Sequence, residues 1–258
     1  RYKVNLMSKS DPQIAEAVMK AEIERRTGRK MEKAPEQAGT TFAYQVPAWM
    51  SFIGLDILDS VRAAEFMIAD TGGVLMPPAL ANRKIEIGKG VYRMGIGGLH
   101  SSETCQQVHA DQEHVILDYD VVSYYPAILL NQGLYPKHIG PEFLNVYKGL
   151  VDQRLEAKKA GDKTYAESLK ISINGLFGKL GSKWSAVYAP DLMIQITATG
   201  QLALLMLIES LEGPGIQVVS ANTDGVTVRC RRGRVDEVGG LVRQWEAATG
   251  FTIERNEY

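Results

Sequence analysis

The sequence predicts an α+β fold: an antiparallel sheet backed by helices, with a two-helix hairpin inserted between its strands. Three observations carry this. A short apolar run rich in β-branched residues, 114–117, leads into Asp118 and Asp120. Two further β runs, 216–219 and 226–228, flank a polar turn and read as a hairpin. Between them lie two long helical patterns, 141–160 and 164–180, separated by only a few residues and therefore an antiparallel helical pair.

At 258 residues and 28.4 kDa the chain is long enough for a substantial core, as one large domain or two lobes. Its 45% hydrophobic and 23% charged residues are ordinary for a globular protein. The two cysteines, Cys105 and Cys230, have no metal-like spacing, so reduced thiols and a cytoplasmic setting (a host cytoplasm if the source is viral) are expected. No apolar run approaches the ~20 residues needed to cross a bilayer, and no signal peptide is visible. The first residue is Arg1 rather than methionine, which reads as part of something longer. A net charge of −1 argues mildly against nucleic acid, but it hides a stripe. Residues 148–183 hold eight basic side chains and four acidic ones, a local charge of +4. A metal site needs carboxylates and a phosphate site needs cations, so a chain holding both averages near zero.

The elements follow in order. Ser10 or Asp11 caps a first helix, Pro12 suits its first turn and Gly28 its exit. Ile14, Ala17, Val18 and Ala21 are its expected buried face. Residues 29–41 read as a linker, 46–70 as an irregular apolar stretch with some helix, and 71–73 and 76–78 as turns. Strands are expected at 84–87 and 92–96. Gly95-Ile96-Gly97-Gly98 reads as a close-packed turn rather than a dinucleotide loop, because no helix pattern follows and the third glycine is misplaced. A short helix is expected at 126–130. In the first long helix Phe143, Val146, Tyr147, Leu150 and Val151 recur at helical spacing. A strong helix over 191–211 follows Pro190 and stops before Gly213-Pro214-Gly215. The turn at 220–225 should display Asn222 and Asp224. An amphipathic helix at 235–248 and a final strand from 251 complete the chain.

Residues two apart on a strand share a face, so Asp118 and Asp120 point the same way. Carboxylates from two different strands can hold a pair of divalent cations ~3.5–4 Å apart, which stabilises both oxygens of an in-line phosphoryl transfer. Hard oxygen ligands favour Mg²⁺, which takes its remaining ligands from water and substrate phosphates. Arg154 and Lys158, four apart, share a helical face, and Lys170 lies on the partner helix. An arginine fork and lysine point charges suit a triphosphate.

Asp120-Val121-Val122-Ser123-Tyr124-Tyr125-Pro126 resembles the DxxSLYP element of family B DNA polymerases, with Tyr124 in place of leucine. Lys170-Ile171-Ser172-Ile173-Asn174-Gly175-Leu176-Phe177-Gly178 resembles that family's KxxxNSxYG, with Gly175 for serine and Phe177 for tyrosine. Ser220-Ala221-Asn222-Thr223-Asp224-Gly225 resembles its YGDTDS hairpin. The three occur in the family's order, and the variants look most like those of phage polymerases. The resemblance implies a polymerase palm with an inserted two-helix fingers hairpin. Residues 1–140 would be an N-terminal segment and the first part of the palm, 141–180 the fingers, and 181–258 the second part of the palm, cut before a thumb. It implies DNA-directed DNA polymerase activity, with primer–template DNA and dNTP as partners and two Mg²⁺ ions that Mn²⁺ can replace. Asp120 and Asp224 would be the catalytic carboxylates, with the Val121 carbonyl completing the metal ligands. Val121, Ser123, Tyr124, Tyr125, Arg154, Lys158, Lys170 and Asn174 would bind dNTP, Tyr125 as a gate against the ribose 2′-hydroxyl. Gly178 would face the nascent base pair.

Several departures stand out. Asn222 replaces the first aspartate of the DTD element. Asp118 rivals Asp120, although only the Asp120 register places Ser123, Tyr125 and Pro126 correctly. The lysine-and-tyrosine segment that grips primer–template, a thumb and a proofreading carboxylate cluster have no counterpart here, and are expected in other regions of a longer protein. A second reading is a catalytically degenerate nucleic-acid-binding or assembly module with a palm fold, which would bind no metal at millimolar concentration. An RNA-copying palm ranks lower, because such enzymes lack the helix signature from Lys170 to Gly178.

Overall fold

The structure, a computed structural model, describes residues 9–103 and 107–257. Cys105 therefore lies outside the described residues. In chain order the elements are α1 (Asp11–Thr27), β1 (Thr41–Ala43), α2 (Ile57–Arg62), β2 (Glu65–Ile68), β3 (Val74–Leu75), α3 (Pro78–Ala81), β4 (Ile85–Ile87), β5 (Gly90–Arg93) and β6 (His100–Ser101). They continue with β7 (His114–Val121), α4 (Tyr124–Asn131), α5 (Glu142–Lys159), α6 (Lys163–Lys179), α7 (Pro190–Leu211), β8 (Ile216–Asn222), β9 (Gly225–Arg231), α8 (Val235–Thr249) and β10 (Ile253–Glu257). The mixed fold with antiparallel sheets and helices agrees with the α+β expectation. The chain divides into two compact units.

One unit takes the described residues through Thr40, with Ile68–Val74 and Leu129–Met193. Its centre is the pair α5 and α6, joined by only three residues, with α1 laid against them. Asp162 caps α6 by accepting the Tyr165 N–H at 3.0 Å. Phe143, Val146, Tyr147 and Leu150 are buried as expected, while Ala157 joins them and Val151 does not. α1 starts at Asp11 and closes on Gly28, whose φ of 68° is the left-handed cap that glycine adopts without cost. Its buried stripe is Ala15, Met19 and Ile23, not Ile14, Ala17, Val18 and Ala21. The buried stripe is the one set by the two helices, α6 and α5, that α1 packs against. A Cβ on Gly175 would lie 3.0 Å from Pro12 Cα, so the glycine standing where the family motif has serine lets α1 seat on α6. Glu16 secures that seat, pairing with Lys179 at 3.7 Å and accepting the Ala186 N–H at 2.6 Å. At the other end of α1, Arg26 pairs with Glu142 at 3.2 Å.

The other unit takes the described residues of 41–67, 75–128 and 194–257. Its framework is a seven-stranded antiparallel sheet in the order β10-β7-β9-β8-β6-β5-β4. On β7 the residues Val115, Leu117, Tyr119 and Val121 are buried while His114, Ile116, Asp118 and Asp120 face outward, the period-two pattern of a half-covered strand. The strand runs past both aspartates to Val121, further than the apolar run 114–117, because β9 and β10 pair with it on both sides. α7 is apolar enough, and at 22 residues long enough, to cross a membrane by length and composition, which corrects the expectation that no such run exists. Its most apolar window is 78% buried within the fold, as befits a core helix. Trp245 of α8 donates to the Ala203 carbonyl at 2.8 Å, fixing α8 to α7. The stretch 46–70 holds only the short helix α2, followed by β2, which pairs with β1.

Candidate functional site

The two aspartates singled out from sequence meet through the sheet. β7 and β9 are neighbours, and their register sets Asp120 opposite Gly225, the residue after Asp224. The Val121 N–H donates to the Asp224 carbonyl at 2.8 Å, so the ladder continues one step into the turn. Both side chains are exposed at the same end of the strand pair. Gly225 is what lets Asp120 lie against β9: a Cβ there would overlap Asp120 Oδ1 and lie 3.1 Å from the Tyr119 carbonyl.

Electrostatics mark this end of the sheet. Partial desolvation raises the Asp120 pKa above the usual carboxylate range, and the neighbouring negative charges of Asp118, Asp224 and Glu254 raise it further. Desolvation also raises that of Asp224, against a smaller pull from its own backbone amide. Glu254 stands opposite Asp120 on β10, a neighbour no local pattern reveals. Asp118 shares the outward face, but its Oδ1 accepts the Thr227 hydroxyl at 2.8 Å, which occupies the rival. No cation pairs with Asp120 or Asp224 among the described residues. No group of three or more histidine, cysteine, aspartate or glutamate side chains is gathered for a metal among them either. Two carboxylates and nearby backbone carbonyls are a donor set that fits Mg²⁺, which binds through one or two carboxylates and keeps places for water and phosphate.

The segments leading away from each aspartate turn sharply. Ser123, φ 50°, and Thr223, φ 53°, are the non-glycine residues with left-handed backbone among the described residues. Such conformations cost of order 1–3 kcal/mol and persist where surrounding contacts enforce them. After Ser123 the chain enters α4, where Tyr124 and Tyr125 stack with ring centroids 6.2 Å apart and 7° between planes. Tyr124 is 3% exposed, donates its hydroxyl to the Gly200 carbonyl at 2.7 Å and meets Phe251 edge-on. Its side chain is thus packed in the core, as the shelf on which Tyr125 rests. Gly200 makes room for both rings. Tyr125 is half-buried, and desolvation together with Asp224 pushes its phenol up to about 12, so it stays neutral.

In the unit built on α5 and α6, Lys170, Asn174 and Gly178 recur every fourth residue of α6 and all are exposed, forming one stripe. Lys170 lies 3.5 Å from Glu167, a surface pair that constrains it little. On α5, Lys158 is exposed and Arg154 half-buried. Phe177 is half-buried beside the stripe.

Sequence reading missed the support of the β8–β9 turn. The strands run to Asn222 and from Gly225, leaving only Thr223 and Asp224 between them rather than the wider turn 220–225. Asn222 pairs with Gly225 and with His100 of β6, and its Oδ1 accepts the Thr223 hydroxyl at 3.1 Å. The residue that replaces an aspartate is therefore part of the turn itself. Beneath it lies the glycine loop 95–98, closely packed at Gly98 but not at Gly95 or Gly97, with Gln201 of α7 hydrogen-bonded into it.

No family model matches the chain. It is 31% identical over 117 residues to the "DNA polymerase alpha catalytic subunit" of Trypanosoma brucei brucei, covering 40% of this chain and 8% of that protein. It is 32% identical over 93 residues to "DNA polymerase II" of Escherichia coli (strain K12), covering 36% of this chain and 11% of that one. The chain thus spans a small part of either relative. Among solved structures, the family B DNA polymerase from the hyperthermophilic archaeon Pyrobaculum calidifontis aligns over 61% of this chain and 27% of its own. The TM-score is 0.42 and the identity 20%, a likeness too low to establish a shared fold.

Proposed function

We propose that this chain, similar in sequence to parts of two DNA polymerases, is a segment of a family B DNA polymerase and carries the nucleotidyl-transfer site of a DNA-directed DNA polymerase. The observation that supports this most is the ladder pairing of β7 with β9, which sets Asp120 beside the turn that carries Asp224. The unit with the large sheet is then the palm, and the α5–α6 pair the fingers.

Asp120 and Asp224, with the Val121 carbonyl, would hold divalent magnesium. When bound, the metal pair supplies charge stabilisation for the attacking primer 3′-oxygen and the departing pyrophosphate. The chain's own residues do the positioning. Arg154, Lys158 and Lys170 offer the cations that a triphosphate requires, and Asn174 and Gly178 offer an uncluttered helix face. Tyr125, held flat on Tyr124, presents a ring edge to the sugar. The protein makes no covalent bond to substrate; alignment and neutralised charge carry the rate.

Asp120→Ala and Asp224→Ala are expected to abolish Mg²⁺-dependent addition of dNMP to a primer–template and to remove Mn²⁺ binding at millimolar concentration, with the circular-dichroism spectrum unchanged. Normal extension by either variant overturns the assignment. A parent protein that binds no metal at all points instead to the degenerate module. Tyr125→Ala is expected to admit ribonucleotides, measured as the ratio of rNTP to dNTP incorporation. Unchanged sugar discrimination removes the gate.

A further inference from the structure

Gln201 is 2% exposed on α7, where its Nε2 also donates to the Thr197 carbonyl one turn earlier at 3.2 Å. Its side-chain amide is spent on a loop far away in sequence. Oε1 accepts the Gly95 N–H at 2.8 Å, and Nε2 donates to the carbonyls of Gly95 at 2.9 Å and Gly97 at 2.8 Å. The loop it grips, Gly95-Ile96-Gly97-Gly98, is three-quarters glycine and has few side chains with which to anchor itself. A buried amide satisfied on both its oxygen and its nitrogen is the anchor.

The far side of that loop is the bed of the β8–β9 turn. A Cβ on Gly98 would lie 2.5 Å from Thr223 Oγ1 and 2.8 Å from Thr223 Cα, so backbone lies directly against backbone. The next carbonyl, Leu99, accepts the Thr223 N–H at 2.8 Å. His100 pairs with Asn222, and the Ser101 hydroxyl donates to the Ala221 carbonyl at 3.0 Å and accepts the Ala221 N–H at 2.8 Å. Thr223, with φ 53°, adopts a backbone its side chain disfavours, and the loop is what enforces it. The residue it delivers is Asp224.

We propose that Gln201 is a positioning residue: by clamping Gly95 and Gly97 it fixes the bed on which the Thr223–Asp224 turn is shaped, and so sets where the Asp224 carboxylate stands relative to Asp120. This rests on the reading of that pair as metal ligands. Groups that orient metal ligands without touching the metal are typically worth about 10- to 100-fold in metal affinity.

The test is Gln201→Met, which keeps the volume and the helix but removes all three loop hydrogen bonds. Amide exchange by mass spectrometry and Mn²⁺ titration are read on the same protein, together with primer extension. Exchange at 221–224 is expected to rise, that of the α7 segment 202–211 to stay protected, and Mn²⁺ affinity to fall by about tenfold. The dNTP KM at saturating metal should not move, because no nucleotide contact is altered; a merely structural loss would move it too. Exchange at 221–224 and Mn²⁺ affinity both at parental values overturn the proposal. If Asp224→Asn leaves parental Mn²⁺ binding intact, the metal reading falls, and the exchange data alone decide whether Gln201 shapes the turn. Should Gln201→Met fail to fold, Gly98→Ala presses on the turn from the loop side with α7 untouched. Parental exchange at 221–224 in that variant overturns the proposal equally.

Discussion

Gly225→Ala asks how closely Asp120 is held. Gly225 sits in β9 opposite Asp120 on one side and Asn222 on the other, with ordinary strand backbone and no positive φ. Alanine therefore brings no backbone strain. In the unfolded chain it restricts conformations and favours folding by about 0.4–1 kcal/mol. What it adds is a methyl group in the place now taken by Asp120 Oδ1, with the Tyr119 carbonyl 3.1 Å away. The carbonyl belongs to the sheet and gives by a few tenths of an ångström. The carboxylate is the free end of a short side chain, and clearing the methyl needs a displacement of roughly 1 Å, or about 30° in a side-chain torsion at about 0.5–1.5 kcal/mol. Those opposing contributions nearly cancel, so the melting temperature should change by no more than a few degrees. Metal ligation does not cancel, because a ligand must lie within about 0.2 Å of its place. Half-maximal Mg²⁺ for primer extension is accordingly expected to rise by on the order of tenfold, with the rate at saturating Mg²⁺ partly restored. The assay is extension across a Mg²⁺ series beside a thermal melt. An unchanged Mg²⁺ midpoint with an unchanged melt would show that the Asp120 carboxylate is not confined against β9, and the geometric basis for the pair would go with it.

Two further outcomes follow from burial and charge. The Tyr147 hydroxyl is fully buried and finds no hydrogen-bond partner among the described residues, and burial raises its pKa. Tyr147→Phe should stabilise the helical unit, by about 1–3 kcal/mol in denaturant unfolding, because an unsatisfied buried hydroxyl bears its full desolvation cost; a loss of stability would reveal a partner. The second outcome concerns pH. Asp120 has a folded-state pKa raised first by desolvation and then by Asp118, Asp224 and Glu254. A carboxyl whose pKa is higher folded than unfolded binds its proton more tightly in the native state, so its contribution to stability is present at acid pH and lost as pH rises through the folded value. In metal-free protein Asp120→Asn should therefore raise the melting temperature at neutral pH, and the difference should vanish below the ordinary carboxylate range. A difference independent of pH would mean that the charge is not what destabilises the site.

What local pattern could reveal about this molecule is what local physics decides. The caps of α1, the short link between α5 and α6 and the shared face of Asp118 and Asp120 on β7 depend on residues within a turn or two, and each was legible, whereas the half-covered alternation of 114–117 was not. The aspartates were legible as a pair only through motif resemblance, because the meeting of β7 with β9 is a long-range register that no periodicity encodes. The same gap hid Glu254, brought beside Asp120 by β10, and it misplaced the buried stripe of α1, which depends on the helices it meets. Tyr124 and Gln201 show the deeper reason. Both are polar residues whose roles are set by backbone they contact far along the chain, Gly200 for one and Gly95 with Gly97 for the other. Glycine has no side chain to leave a pattern, so a site framed by glycines is read least well where its geometry is most constrained. Gly98, Gly175, Gly200 and Gly225 each mark a place where another group occupies or crowds the space a Cβ would need. Two of them replace the serine of a family motif, so departures that look like erosion in sequence are, in the fold, points of closest approach.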